Sequence, residues 1–242
     1  MSQIARSDPT RRRRQSCLSV AGVRDSLYLD AGILDFEAVF EAQPARAILL
    51  SHFHADHVLG LIRLSYSLGK KVPVFAPENT SGYGHLIENP GILDFRFKPI
   101  LEPFECGEFL VTPIPLQHNV PTHGYCVENR DCRLAYLCDT KGLSERCLMY
   151  LIGWRPEVLI VDATEGLAKV EDSHHNSVEE AIRLAAQIRP KISVLSHIGL
   201  GAEIWLESHR SELPENMIVA SDGLELTYTR SRDERIISRF FF

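Results

Sequence analysis

Short apolar runs separated by turn signals fill the first part of the chain. Cys17 to Val23 and Ser26 to Asp30 read as two strands joined by a tight Arg24-Asp25 turn, and Ala47 to Ser51 as a third. After Asp56 the period changes to a helical one. Val58, Leu61, Ile62, Leu64 and Leu68 share one face, Gly69 with Lys70 and Lys71 supplies the stop, and Asp56 falls at or near the N-cap. Val72 to Ala76 predicts a strand, and Ser81 to Glu88 a short helix ended by Asn89-Pro90-Gly91. Phe109 to Pro113, His123 to Val127 and Leu134 to Cys138 have β composition, followed by a helix over Ser144 to Ile152 and a wholly apolar strand, Val158 to Val161.

The strongest helix signal opens at Ser177-Val178-Glu179-Glu180, an N-cap hydroxyl with an acidic first turn. It continues through Ile182, Leu184, Ala185 and Ile188 to Pro190. A strand at Ile192 to Ser196, an amphipathic segment at Ala202 to His209 and a strand pair around Ser221-Asp222-Gly223 complete the pass. Antiparallel strands interrupted by helices predict an α/β chain with two packed sheets and helices outside them.

The 242 residues, 45% of them hydrophobic, suffice for a single compact domain spanning the chain. A net charge of -6 argues against general affinity for nucleic acid or acidic membranes and favours a small anion as partner. The cysteines at 17, 106, 126, 132, 138 and 147 form no Cys-x-x-Cys pair, as expected of reduced core residues in a cytoplasmic protein. Met1 to Gln15 is polar and includes Arg11-Arg12-Arg13-Arg14, a solvated lead-in rather than a secretory signal, and no apolar run approaches membrane-spanning length. The sequence leaves oligomeric state, a homodimer included, undecided, and Phe240-Phe241-Phe242 is an odd composition for a free terminus.

Candidate chemistry concentrates after the third strand, in His52-Phe53-His54-Ala55-Asp56-His57. Alternation at a strand exit brings His52 and His54 to one side, while Asp56 and His57 stand on the first turn of the succeeding helix. Imidazoles interleaved with a carboxylate make the shell of a hydrolytic metal centre rather than a thiolate-rich structural one. Three further candidates each come directly after an apolar strand: His118, Asp139 and His197. Ends on one edge of a sandwich can converge, so these are the expected partners. His85 and His209 fall on helices as surface or capping residues, and His123 is a candidate pocket residue.

His52, His54, Asp56 and His57 match the His-x-His-x-Asp-His signature, and the chain resembles the metallo-β-lactamase fold hydrolases. Leu29-Asp30-Ala31-Gly32, Asn89 to Phe95, Glu102-Pro103-Phe104, Gly124-Tyr125, Leu137 to Thr140, Leu195 to Ile198 and Asp222-Gly223 are similar to segments of the PhnP-like phosphodiesterases of phosphonate catabolism. The resemblance implies an αββα sandwich of two mixed sheets flanked by helices. It implies one divalent ion on His52, His54 and His118, another on Asp56, His57 and His197, and Asp139 bridging; Mn, Zn, Fe and Ni all suit such a shell. It further implies that Asp56 orients a shared hydroxide and that a histidine before a helix protonates the leaving oxygen. His175, two residues before Ser177, fits that register better than His174.

The expected substrate is a small cyclic phosphate, 5-phosphoribosyl 1,2-cyclic phosphate giving ribose 1,5-bisphosphate. The alternatives are a tRNA 3′-processing ribonuclease or a non-catalytic accessory protein of the same fold. Lys141 and Arg24 are candidate cations for a distal phosphate, though ordinary solvated charge explains both more simply. The PhnP-like pattern also has an early cysteine cluster for a structural zinc and a His three residues after His197. Here no cysteine precedes Cys17 and Leu200 holds the His position, so no structural zinc is expected.

Overall fold

The computed structural model describes residues 13–78, 83–167, 173–228 and 238–241. Arg11, Arg12, the Ser81 start of the short helix, Asp172 and Phe242 lie outside the described residues. The first elements are β1 (Leu18–Ala21), β2 (Ser26–Leu29), α1 (Phe36–Ala42), β3 (Ala47–Leu49), α2 (Ala55–Val58), α3 (Leu61–Leu64), β4 (Val72–Ala76), α4 (Gly84–Glu88) and β5 (Leu93–Phe97). Next come β6 (Phe104–Cys106), β7 (Phe109–Pro115), β8 (His123–Glu128), β9 (Arg133–Leu137), α5 (Glu145–Trp154), β10 (Val158–Asp162), α6 (Val178–Ile188) and β11 (Ile192–Ser196). The last are α7 (Leu200–His209), β12 (Met217–Val219), β13 (Glu225–Tyr228) and β14 (Ser238–Phe241).

The strands form two seven-stranded mixed sheets, ordered β13-β14-β1-β2-β3-β4-β5 and β12-β11-β10-β9-β8-β7-β6. Antiparallel pairing does not dominate as expected: β2 to β5 run parallel to one another, and so do β9 to β12. Each of these parallel pairs is joined through a helix, because a parallel neighbour needs a crossover rather than a hairpin. In both runs the polar residues that matter chemically stand just past the carboxyl ends of the strands.

By its contacts the chain divides into two compact units, residues 14–113, 129–131 and 223–242, and residues 1–13, 114–128 and 132–222. In the first, Tyr28, Phe36, Ile48, Leu61, Val74 and Leu86 pack one core. Helix α1, not anticipated from the sequence, is held there by Phe36, whose ring meets Tyr28 edge-on with centroids 5.0 Å apart. The single helix expected after Asp56 is instead two short ones. The break falls at Gly60, whose amide donates to the Ala31 carbonyl oxygen at 2.8 Å instead of within the helix; a Cβ there would lie 2.4 Å from the Phe36 Cβ and 2.5 Å from the carbonyl oxygens of Ala31 and Ile33. His54, not Asp56, occupies the N-cap position of α2, with Asp56 in the first turn.

In the second unit, α6 begins with a capping box. Ser177 Oγ accepts from the Glu180 amide at 3.1 Å, and the Ser177 amide donates to Glu180 Oε2 at 2.8 Å. Lys141 Nζ also donates to Glu180 Oε2 at 2.8 Å, which ties the loop after β9 to the start of this helix. Asn176 Oδ1 adds a second tie, accepting from the Gly142 amide at 2.7 Å.

Candidate functional site

In the first unit, β2 and β3 end side by side and deliver Asp30 and Ser51 to one place. Asp30 is fully buried and left-handed, with φ 59°. Its Oδ1 accepts from the Ser51 amide at 2.7 Å and Ser51 Oγ at 2.8 Å, while its Oδ2 lies 2.8 Å from His57 Nδ1. Ser51 Oγ is 3.0 Å from His52 Nδ1. The Nδ1 sides of both imidazoles are thereby engaged, and Nε2 is the atom each ring has for a metal. This is the arrangement in which an outer carboxylate fixes the tautomer of a histidine ligand. The His52 ring centroid lies 4.5 Å from that of His54 and 4.2 Å from that of His57. His57 Nε2 is 3.7 Å from Asp56 Oδ2, so the four signature residues form one cluster.

The cluster depends on Gly32. A Cβ there would fall 1.8 Å from the Asp56 carbonyl oxygen, and the residues around it are bonded across the same gap: Ser16 N to Asp56 O at 2.9 Å and Gly32 N to Ser16 O at 2.8 Å. Gly32→Ala is expected to force the histidine turn aside, at a cost of about 3 kcal/mol and roughly 6–12 °C in Tm. A thermal melt beside a metal-binding titration checks this, and an unchanged melt would show that the turn has room to spare.

In the second unit Asp139, 1% exposed, stands just after β9. Its Oδ2 lies 4.0 Å from His118 Nε2 and its Oδ1 3.5 Å from His197 Nε2, so the two oxygens face different imidazoles. His118 Nδ1 lies 3.2 Å from the His174 carbonyl oxygen, to which it donates, so its Nε2 is the atom that could hold a metal. His197 Nδ1 lies 2.8 Å from Thr164 Oγ1, which donates to Asp162 Oδ1 at 2.7 Å. Both imidazoles are thus held by the protein at Nδ1 and turn Nε2 toward Asp139.

His175 differs from them. Its Nδ1 is 2.8 Å from Asp162 Oδ2, with Asp139 Oδ2 3.9 Å away, and its ring stacks on His197 at 9° with centroids 5.0 Å apart. Asp139, His175 and His197 offer ligand atoms within 4.8 Å of one another. Its Nδ1 is engaged by Asp162, as those of His57 and His197 are by Asp30 and Thr164, so Nε2 is the atom His175 has for a proton or a metal. Burial pulls its pKa down, but the hydrogen bond to Asp162 and the charges of Asp162 and Asp139 outweigh that, so the net shift is upward. His174 is exposed; its backbone oxygen accepts from His118, and its ring stands edge-on to that of His118 with centroids 6.0 Å apart.

Two acids escaped the sequence reading. Asp30 and Asp162 are both fully buried, and each anchors histidines without standing beside one in the chain. Both end an apolar strand, the same signal that marked Asp139. Of the other histidines, His85 Nε2 meets Tyr66 Oη at 2.9 Å and His209 Nδ1 donates to Trp205 O at 2.8 Å. His123 is buried at the start of β8, and burial alone brings it down to about 4, a neutral ring at physiological pH. Lys141 is spent on Glu180, and Arg24 lies near the amino-terminal ends of β2 to β5, away from the histidines beyond β3.

Buried imidazoles and carboxylates with oriented tautomers, set after the parallel strands of two mixed sheets, define a metal-dependent hydrolase with the metallo-β-lactamase fold. Residues 34–198 match the Beta-lactamase superfamily domain, and the chain belongs to that family. It resembles a diphosphatase of the PhnP family, with 25% identity, a TM-score of 0.73, and 90% of this chain and 85% of that one covered. It is also similar to a ribonuclease Z of Azobacteroides pseudotrichonymphae, 24% identical over 80% of this chain and 84% of the relative. An octanoyltransferase of Porphyromonas gingivalis is 28% identical over 74% of this chain, which spans only 37% of that protein. Among the described residues no helix is long and apolar enough to cross a membrane.

Proposed function

We propose that the chain is a dimetal phosphodiesterase that opens a small cyclic phosphate, with 5-phosphoribosyl 1,2-cyclic phosphate as the substrate and ribose 1,5-bisphosphate as the product. In this reading His52, His54 and His118 hold one ion, Asp56, His57 and His197 the other, and Asp139 both. When bound, divalent ions of the Mn, Zn, Fe or Ni type would polarise the phosphoryl oxygens and make water a competent nucleophile at neutral pH. Asp30 and Ser51 keep His52 and His57 in the ligating tautomer, and Thr164 does the same for His197. Asp56, on the first turn of α2, orients the attacking water. His175, oriented by Asp162 and with its pKa shifted upward, gives a proton to the leaving ribose oxygen. The reading is carried above all by the Asp162–His175 pair, an oriented acid 3.9 Å from the carboxylate assigned to both ions. The likeness to a PhnP-family diphosphatase supports a small phosphate substrate over a polymer. Six free cysteines support a reducing, cytoplasmic setting.

A second reading, a tRNA 3′-processing ribonuclease, is favoured by the ribonuclease Z that matches along most of its length. The two separate in a turnover screen of metal-loaded protein against 5-phosphoribosyl 1,2-cyclic phosphate, 2′,3′-cyclic nucleotides and a precursor tRNA with a 3′ trailer. The ribose cyclic phosphate is expected to be preferred. His175→Ala should lower its turnover by on the order of 10²–10⁴-fold while metal content stays unchanged. Preferred cleavage of the tRNA would establish the second reading, and a fully active His175→Ala would remove the assigned acid from both.

A further inference from the structure

The first unit holds a cavity of about 860 Å³ at the amino-terminal ends of β2 to β5, whereas His52 to His57 lie past the carboxyl end of β3. From Arg46 to His52 the chain advances by roughly 20 Å if extended, so the two places belong to opposite edges of the sheet. Arg24, Arg46, Lys70, Lys71 and Arg96 line the cavity against only two carboxylates, Asp25 and Glu105. That balance is contrary to a chain with net charge -6.

Three of the five cations are not neutralised by a side chain of the described residues. Arg96 pairs with Asp94 at 2.6 Å, and Lys71 donates to the Gly91 carbonyl oxygen. Arg24, Arg46 and Lys70 have no side-chain hydrogen bond or ion pair among the described residues. Asp25 and the neighbouring Glu108 are occupied by backbone. Glu108 Oε1 accepts from the amides of Arg24 at 2.7 Å and Asp25 at 2.8 Å, and Asp25 Oδ2 accepts from the Glu108 amide at 3.1 Å. Cys106 on the cavity wall reports the same field: burial pushes its thiol up to about 11, Arg46 and Arg96 act against the rise, and Asp25 adds to it. Like charges gathered on one concave surface repel one another, a standing cost that an anionic ligand would relieve. The volume suits a sugar phosphate or a mononucleotide.

We infer that this cavity is a second anion site, for a small organic phosphate with two or more negative charges, separate from the histidine cluster of the same unit. Guanidinium and ammonium groups around a phosphate form charge-assisted hydrogen bonds, and removing two of them weakens binding steeply.

Titration calorimetry on the metal-loaded full-length chain tests this, with fructose 1,6-bisphosphate as probe and fructose and orthophosphate as controls. One bisphosphate is expected to bind per chain, fructose not at all, and the affinity should fall as salt is raised. Arg46→Gln combined with Lys70→Gln should weaken the bisphosphate by about tenfold or more, with Arg24→Gln as a second, single variant in the same direction. His54→Ala should leave that affinity unchanged. Absence of binding, binding indifferent to all three cations, or binding lost in His54→Ala would each overturn the proposal. The phosphodiesterase reading stands or falls separately on its own turnover screen.

Discussion

Asp139→Ala is expected to empty the centre and stop the reaction together. The carboxylate is 1% exposed, and its two oxygens point to different imidazoles, Oδ1 to His197 and Oδ2 to His118. In the proposed two-ion centre this carboxylate is shared, so without it each ion would lose a ligand and their mutual repulsion its shield. Turnover should fall by on the order of 10³-fold or more. The rise in Tm that added metal produces in the unaltered chain should disappear, because binding to the folded form is what generates that rise. Elemental analysis and melts with and without metal give both readouts. A variant that keeps two ions per chain would show that Asp139 is not shared.

Asp162→Asn should have the next largest effect, through His175. The Asp162 side chain is fully buried and takes four contacts: the Thr140 amide at 3.0 Å, the Thr164 amide at 3.0 Å, Thr164 Oγ1 at 2.7 Å and His175 Nδ1 at 2.8 Å. An amide cannot accept on both sides, so one donor is left facing another, at a cost of about 2–4 kcal/mol. With the carboxylate gone, burial acts on His175 with less opposition and its pKa falls. A group whose folded pKa is raised stabilises the fold fully below its unfolded value near 6.5, and that contribution disappears as pH rises through the folded value. The stability gap between the chain and its Asp162→Asn variant should therefore be widest in acid and narrow toward alkaline pH. Turnover should drop by roughly 10²–10⁴-fold, as when an orienting aspartate is replaced in other acid–base sites. A histidine NMR titration of metal-free protein tests the cause directly. An unmoved His175 resonance would mean that Asp162 positions the ring without setting its charge.

The apolar runs at Ala47 to Ser51 and Val158 to Val161 were legible because strands buried on both faces carry hydrophobic residues without alternation. The helix from Ser177 was equally legible, since its cap, acidic turn and stop are local. Other features were not local. The break at Gly60 is made by Phe36, Ala31 and Ile33, and α1 rests on a single buried residue, Phe36. The hexapeptide announced itself through density, four ligand-type residues in six. Asp30 and Asp162 stand 27 and 13 residues from the histidines they hold, so only the sheet makes them neighbours. The parallel pairing was hidden for the same reason, because it is the crossover helices, not the strands, that encode it.

The box that caps α6 has a consequence for the economy of each turnover. His175 leads into a helix whose first turn is tied by Ser177 and Glu180, and the neighbouring Asn176 and Glu180 grip the Lys141-Gly142 loop. In the proposed reaction the donor, His175, is therefore immobilised once, when the chain folds, and not again at every encounter with substrate. Mobility in the reaction falls to the incoming molecule, which must bring its leaving oxygen to a fixed nitrogen. If the substrates are phosphate esters, as proposed, discrimination among them becomes a matter of their reach and curvature rather than of any adjustment by the enzyme.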